Sequence, residues 1–123
     1  FVGHRSNVAD WLALGDVTVL PSFFEGLPLV PMESLAAGRP VVASAVDGTP
    51  EIVISGKTGL TVPAGDVGAL RGAVCEMLRD PARRRDLARA GREWVLEHFT
   101  EERLVERTQA FYLSSWKEKT GAR

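Results

Sequence analysis

Two glutamates, Glu25 and Glu33, stand eight positions apart across a turn rich in proline and glycine, Ser22-Phe23-Phe24-Glu25-Gly26-Leu27-Pro28. An ionised carboxylate only accepts hydrogen bonds, so each suits sugar hydroxyls and each repels phosphate. Between them, Leu29-Val30-Pro31-Met32 reads as the first turn of a helix that ends at Gly38. Pro31 pins that start to within a residue or two, because deeper in a helix it would cost about 3 kcal/mol. The first amides of a helix lack intrahelical acceptors and sit in partial positive charge, so Leu29 and Val30 offer their N–H groups to an anion such as a diphosphate.

The element before the turn positions these groups. Val17-Thr18-Val19-Leu20 is short and almost wholly apolar, which predicts a strand covered on both faces. A strand feeding a turn and a helix start puts the turn at the carboxyl edge of an α/β sheet, where ligands of such sheets sit. Glu25 precedes the helix mouth and belongs past the phosphates, on a sugar. Glu33 lies one turn beyond Leu29 and leans back toward the helix start, within reach of a diol on the other side. Two hydroxyl-binding acids around an amide cradle describe a nucleotide-sugar. Spacing alone is equally met by an exposed turn residue at Glu25 and a first-turn acid at Glu33 that complements the helix dipole.

The rest of the chain supplies a frame. Phe1-Val2-Gly3-His4-Arg5 reads as a strand end turning at Gly3, and Ser6 or Asn7 caps a short helix whose apolar face is Val8, Trp11 and Leu12. Val41-Val42-Ala43-Ser44 is a second buried strand, Thr49-Pro50-Glu51 a helix start with Thr49 as cap, and Leu60-Thr61-Val62 a third strand. From about residue 66 onward the chain is expected to be helical: Leu70, Ala73, Val74, Met77 and Leu78 form one face, and Asp80-Pro81 starts the next helix. That helix turns Leu87, Ala90 and Trp94 to one side, and a last helix, capped by Thr100, turns Leu104, Thr108, Phe111 and Tyr112 inward. Strands alternating with helices predict an α/β, Rossmann-like parallel sheet with helices on both faces and right-handed crossovers.

Bulk composition narrows the partners. The 123 residues suit one domain, and 45% apolar with 25% charged residues is ordinary for a globular chain. A net charge of -1 gives no field to recruit nucleic acid. Cys75 is the only cysteine, which excludes an internal disulfide and a thiolate metal cluster, and it reads as an inert residue at a helix boundary. No apolar run is long enough to span a bilayer. The opening at Phe1, inside a strand end and without methionine, predicts a piece of a longer chain.

With these residues in view, the sequence resembles the family 4 retaining glycosyltransferases, whose fold is the two-domain GT-B arrangement. Their Glu, seven residues, Glu signature corresponds to Glu25 through Glu33. The flanks Asp16-Val17-Thr18-Val19-Leu20-Pro21-Ser22 and Ala36-Ala37-Gly38-Arg39-Pro40-Val41-Val42-Ala43-Ser44 match as well, as do Pro50-Glu51-Ile52-Val53 and Gly56 through Asp66. The resemblance covers nearly the whole chain, loosely over the last helices. It implies that residues 1–123 are part of a nucleotide-sugar (donor) binding domain, with Glu25 the catalytic-site acid on hydroxyls of the transferred sugar. Backbone around Gly26, Leu27, Pro28, Leu29 and Val30 would hold sugar and diphosphate, Glu33 the ribose, and Gly3, His4 and Arg5 the nucleobase side. It further implies a retaining reaction without metal, the nucleotide-sugar being substrate rather than cofactor.

The resemblance also says what lies elsewhere. The family's N-terminal acceptor domain is outside this chain, together with the first strands of the donor domain and the Arg and Lys that clamp the diphosphate. This piece alone is therefore expected to be inactive, its acceptor (glycan, lipid or small molecule) binding through the other domain. Without its neighbour, the strand Val17 to Leu20 is expected to present an unpaired apolar edge. Asp47 stands where the family often has glycine, and Pro31 where it has an aliphatic residue. The location implied is cytoplasmic, with peripheral contact at the inner membrane face one use for Arg83-Arg84-Arg85; such a run is more often a solvated helix surface. A nucleotide-sugar epimerase of the same build and a non-catalytic nucleotide-sugar binding domain share these features. His4 reads as a loop residue near the base, His98 as a partner of a helix C-terminus, and Trp116 as an anchor for the last helix on a further domain.

Overall fold

The computed structural model describes residues 1–120. In order, the elements are α1 (Val8–Leu14), β1 (Thr18–Leu20), α2 (Leu29–Ala36), β2 (Val41–Ser44), α3 (Thr49–Ile52), β3 (Gly59–Val62), α4 (Val67–Arg79), α5 (Pro81–His98) and α6 (Glu101–Thr120). The strands form one parallel sheet ordered β1-β2-β3, with Thr18 opposite Val41 and Val41 opposite Gly59. Right-handed crossovers in that order put α2 and α3 on the same face. The packing agrees: Leu35 of α2 and Ile52 of α3 share a buried layer with Val41, Ala43 and Val95. Val42 turns the other way, toward Leu60, Met77 and Leu87. The sheet is thus covered by helices on both faces, as the alternation of elements predicts.

Close approaches hold the layers together. A Cβ on Gly91 of α5 would stand 2.5 Å from Leu35 Cδ2 and 2.8 Å from the Thr58 carbonyl oxygen, so only glycine lets α5 lie against α2 and β3. Arg92 Nε then donates to the Ala36 carbonyl at 3.0 Å. The end of α2 is closed by Gly38 at φ 71°, with the Gly38 and Arg39 amides donating to Leu35 and Ser34 carbonyls at 2.9 Å each. Asp66 and Asp80 cap α4 and α5, their carboxylates accepting from Ala69 and Arg83 amides at 2.8 and 2.9 Å.

Several expectations fail for want of a packing neighbour. Phe1–Arg5 is not a strand, although Gly3 does turn at φ 66°. No strand lies beside it among the described residues. Val19 of β1 is 40% exposed, so that strand is not covered on both faces; its second edge is unpaired among the described residues, as expected, with β2 on the other. Val8 and Trp11 of α1 are exposed, and the Asn7 side chain accepts from the Trp11 indole at 3.2 Å instead of capping a backbone amide. Leu104, Thr108, Phe111 and Tyr112 of α6 are exposed rather than inward, as no described element packs extensively along that helix. Leu78 is also exposed, one step beyond the Met77 stripe.

Two boundary readings change. Thr49 is the first residue of α3 rather than its cap, a place taken by Gly48. Its side chain is buried, with the Oγ1 hydroxyl lacking a partner. Cys75 lies within α4, half-buried, and not at a helix boundary.

Candidate functional site

Because the three strands are parallel, the loops after them gather at one edge of the sheet: residues 21–28 after β1, 45–48 after β2 and 63–66 after β3. They are stitched together by backbone. The Gly48 amide donates to the Gly26 carbonyl at 2.9 Å, and the Ala45 amide to the Val62 carbonyl at 2.8 Å. A Cβ at Gly48 would stand 2.5 Å from the Gly26 oxygen, so the closeness of the first two loops requires glycine there.

Glu25 sits half-buried in the first loop and is held at both ends. The Ser22 hydroxyl donates to its Oε1 at 2.7 Å, and its own amide donates to Asp47 Oδ2 at 2.6 Å. Gly26 and Leu27 are exposed, whereas Pro28 is buried at the cap position of α2. Proline brings no side-chain acceptor to the helix start. Leu29 and Val30, 68% and 42% exposed, lead the helix, so by position their N–H groups have no carbonyl one turn back. Pro31 follows as the third helical residue and is fully buried. It removes a donor where none is needed. Glu33 is exposed one turn from Leu29, and no hydrogen bond engages its carboxylate among the described residues.

Behind this mouth, the Ser34 hydroxyl bridges Thr18 Oγ1 at 2.7 Å and the Arg39 carbonyl at 3.2 Å, which fastens α2 to β1. Gly3, His4 and Arg5 are exposed and precede α1, which packs against α2. The Arg5 guanidinium lies 5.4 Å over the Trp11 ring.

A family model for glycosyl transferases of group 1 matches residues 1–80. The chain belongs to this family. Within it, the glycogen synthase of Mycobacterium tuberculosis is 39% identical over 118 residues, covering 94% of this chain and 28% of that protein. Sucrose-phosphate synthase from Thermosynechococcus elongatus is 38% identical and superposes with a TM-score of 0.80 over 88% of this chain and 27% of its own. HepE of Anabaena, solved in complex with UDP, superposes with a TM-score of 0.85 over 94% of this chain and 32% of its own. At 24% identity that likeness is one of fold. The chain therefore spans less than a third of the length of these relatives.

For this glycosyl transferase chain, sequence reasoning named Glu25, Glu33 and the helix mouth but missed two features. One is the contact of Asp47 with Glu25, which joins residues twenty-two positions apart. Its only sequence signal is an acid where the resemblance implies that glycine is often found. The other is a groove of about 430 Å³ beside the site, where Leu27, Leu29 and Met32 meet Glu51, His98, Leu104 and Arg107. Neither side of that groove carries a spacing pattern that points to the other. His98 closes α5, its Nδ1 3.0 Å from the Trp94 carbonyl and its ring stacked 3.7 Å from the Trp94 ring. Of the three clustered arginines, Arg83 pairs with Glu76 at 3.1 Å and Arg84 with Asp16 at 3.0 Å. No helix among the described residues is long and apolar enough to cross a membrane.

Proposed function

We propose that this chain is the donor-binding part of a retaining glycosyltransferase that moves a sugar from a nucleotide-sugar to an acceptor. The observation that carries the reading is the uncapped start of α2 at Leu29, entered from the Glu25 loop and followed one turn later by the unengaged Glu33. Leu29 and Val30 amides hold the diphosphate, where free N–H groups and the helix dipole favour negative charge. Glu25, oriented by Ser22, accepts hydroxyls of the transferred sugar, and Glu33 accepts the ribose diol. Gly26, Leu27 and Pro28 shape the wall between them, and Gly3, His4 and Arg5 face the nucleobase.

Attack on the anomeric carbon occurs from the face the diphosphate leaves, with the donor phosphate assisting, so configuration is retained. The donor is a substrate, and the reading assigns no metal to the site. Residues 1–123 form one part of a donor domain, and the acceptor (a glycan, lipid or small molecule) binds on a further domain. The protein works in the cytoplasm, with the exposed Arg85 available to an anionic membrane face. Calorimetry with UDP, GDP and ADP on the protein that carries this chain tests the reading. Glu33→Ala should weaken the nucleotide that binds at least tenfold, and unchanged affinity would count against it. Product analysis separates transfer from the epimerase and binding-only alternatives.

A further inference from the structure

We infer that Asp47 is a positioning residue for Glu25, clamping the sugar-binding acid from the loop after β2. This deepens the proposed function and rests on it. Asp47 is the only non-glycine residue with positive φ among the described residues, at 43°. An L residue adopts that left-handed backbone at a cost, although aspartate tolerates it better than most. The conformation comes with a specific contact: the exposed Asp47 carboxylate accepts the Glu25 amide at 2.6 Å, a short charge-assisted bond. The next residue adds a second rung, Gly48 N–H to the Gly26 carbonyl at 2.9 Å, at a glycine where any side chain would collide with that loop.

Two rungs from consecutive residues therefore fix the backbone of Glu25 and Gly26, while Ser22 fixes the Glu25 carboxylate at 2.7 Å. A glycine at position 47 would meet the backbone requirement without strain, yet it has no acceptor for the Glu25 amide. The carboxylate is what aspartate adds. The consequence falls on the sugar half of the donor site, since the amides of α2 and Glu33 lie on the other side of the loop's anchor.

The test compares Asp47→Gly, Asp47→Asn and Glu25→Gln in the protein that carries this chain, with UDP-, GDP- and ADP-hexoses as donors and nucleoside diphosphate release as readout. Asp47→Gly should keep the melting temperature and the affinity for free UDP, GDP or ADP, yet lower kcat about tenfold, as loss of a hydrogen bond to a charged group does. Asp47→Asn, whose amide oxygen still accepts, should recover most of that loss. Hydrogen exchange at the Glu25 amide should speed up in Asp47→Gly and not in Asp47→Asn. Full kcat and unchanged exchange in Asp47→Gly, beside a Glu25→Gln variant that has lost turnover, would overturn the clamp alone. Undiminished turnover in Glu25→Gln, or no turnover of any of the three donors by the unsubstituted protein, would overturn the site reading and the clamp with it.

Discussion

The Ser22 hydroxyl and the Glu25 carboxylate are 2.7 Å apart, which makes serine the donor that orients the acid at the mouth of α2. Ser22 itself is part-buried, so the bond is shielded from competing water on one side. Ser22→Ala should leave the fold intact and lower donor turnover about tenfold, the scale of one hydrogen bond to a charged group. Steady-state kinetics beside a thermal melt separate the two effects. A normal kcat would show that Glu25 needs no orienting partner.

Two helix glycines should respond oppositely to alanine. At Gly91 the new Cβ meets Leu35 and Thr58 at under 3 Å, and overpacking of that kind costs about 1–3 kcal/mol. At Gly72, in the interior of α4, an added Cβ would meet nothing within 4 Å beyond the helix's own backbone, so alanine should stabilise by about 0.5–1 kcal/mol through helix propensity. Denaturant melts of the two variants check the pair of signs.

Arginine pairs on the surface should differ according to what else they hold. Arg84 is 21% exposed, pairs with Asp16 at 3.0 Å and also donates to the Met77 carbonyl at 3.3 Å, bridging α5 to the start of β1. Arg89 and Asp86 pair within one turn at 71% and 68% exposure. Arg84→Ala should cost about 1 kcal/mol and Arg89→Ala less than about 0.5 kcal/mol, since exposed pairs are screened by water and salt. Equal costs in low-salt denaturant titrations would contradict that ranking.

At the start of α6, Glu102 is held below the ordinary glutamate pKa, first by a hydrogen bond from its own backbone amide and then by the Thr100 side chain. A folded pKa below the unfolded value means the contribution is present above about pH 4.3 and is lost as pH falls through the lowered value. Carbon-detected NMR titration should find Glu102 titrating below the ordinary glutamate range, and Thr100→Val should move it back up.

The parts that could be read in advance are those whose cause is local. The start of α2 was legible because Pro31 forbids a much earlier start, and its end because glycine readily accepts the φ of 71° at Gly38. β2 was legible because its four residues are all apolar or small and all buried. By contrast, the coverage of β1 and the inward face assigned to α6 depend on neighbours, and a spacing pattern says which residues share a side but not what lies against it. Phe111 and Tyr112 keep their helical spacing while standing 67% and 68% exposed. Thr49 was misread for a subtler reason. Proline fits the second helical position as well as the first, so Pro50 shifted the apparent start by one residue. Asp47 was illegible because its partner is reached only when the loops after β1 and β2 come together.

The claim on which the account turns is that a diphosphate sits on the Leu29 and Val30 amides between two acids that grip hydroxyls. A crystal structure of the protein that carries this chain, with UDP, GDP or ADP bound, tests it most directly. The account predicts ribose hydroxyls within hydrogen-bond distance of Glu33 and phosphate oxygens on the Leu29 and Val30 N–H groups. A nucleotide bound elsewhere, with the start of α2 covered by packed side chains, would contradict it.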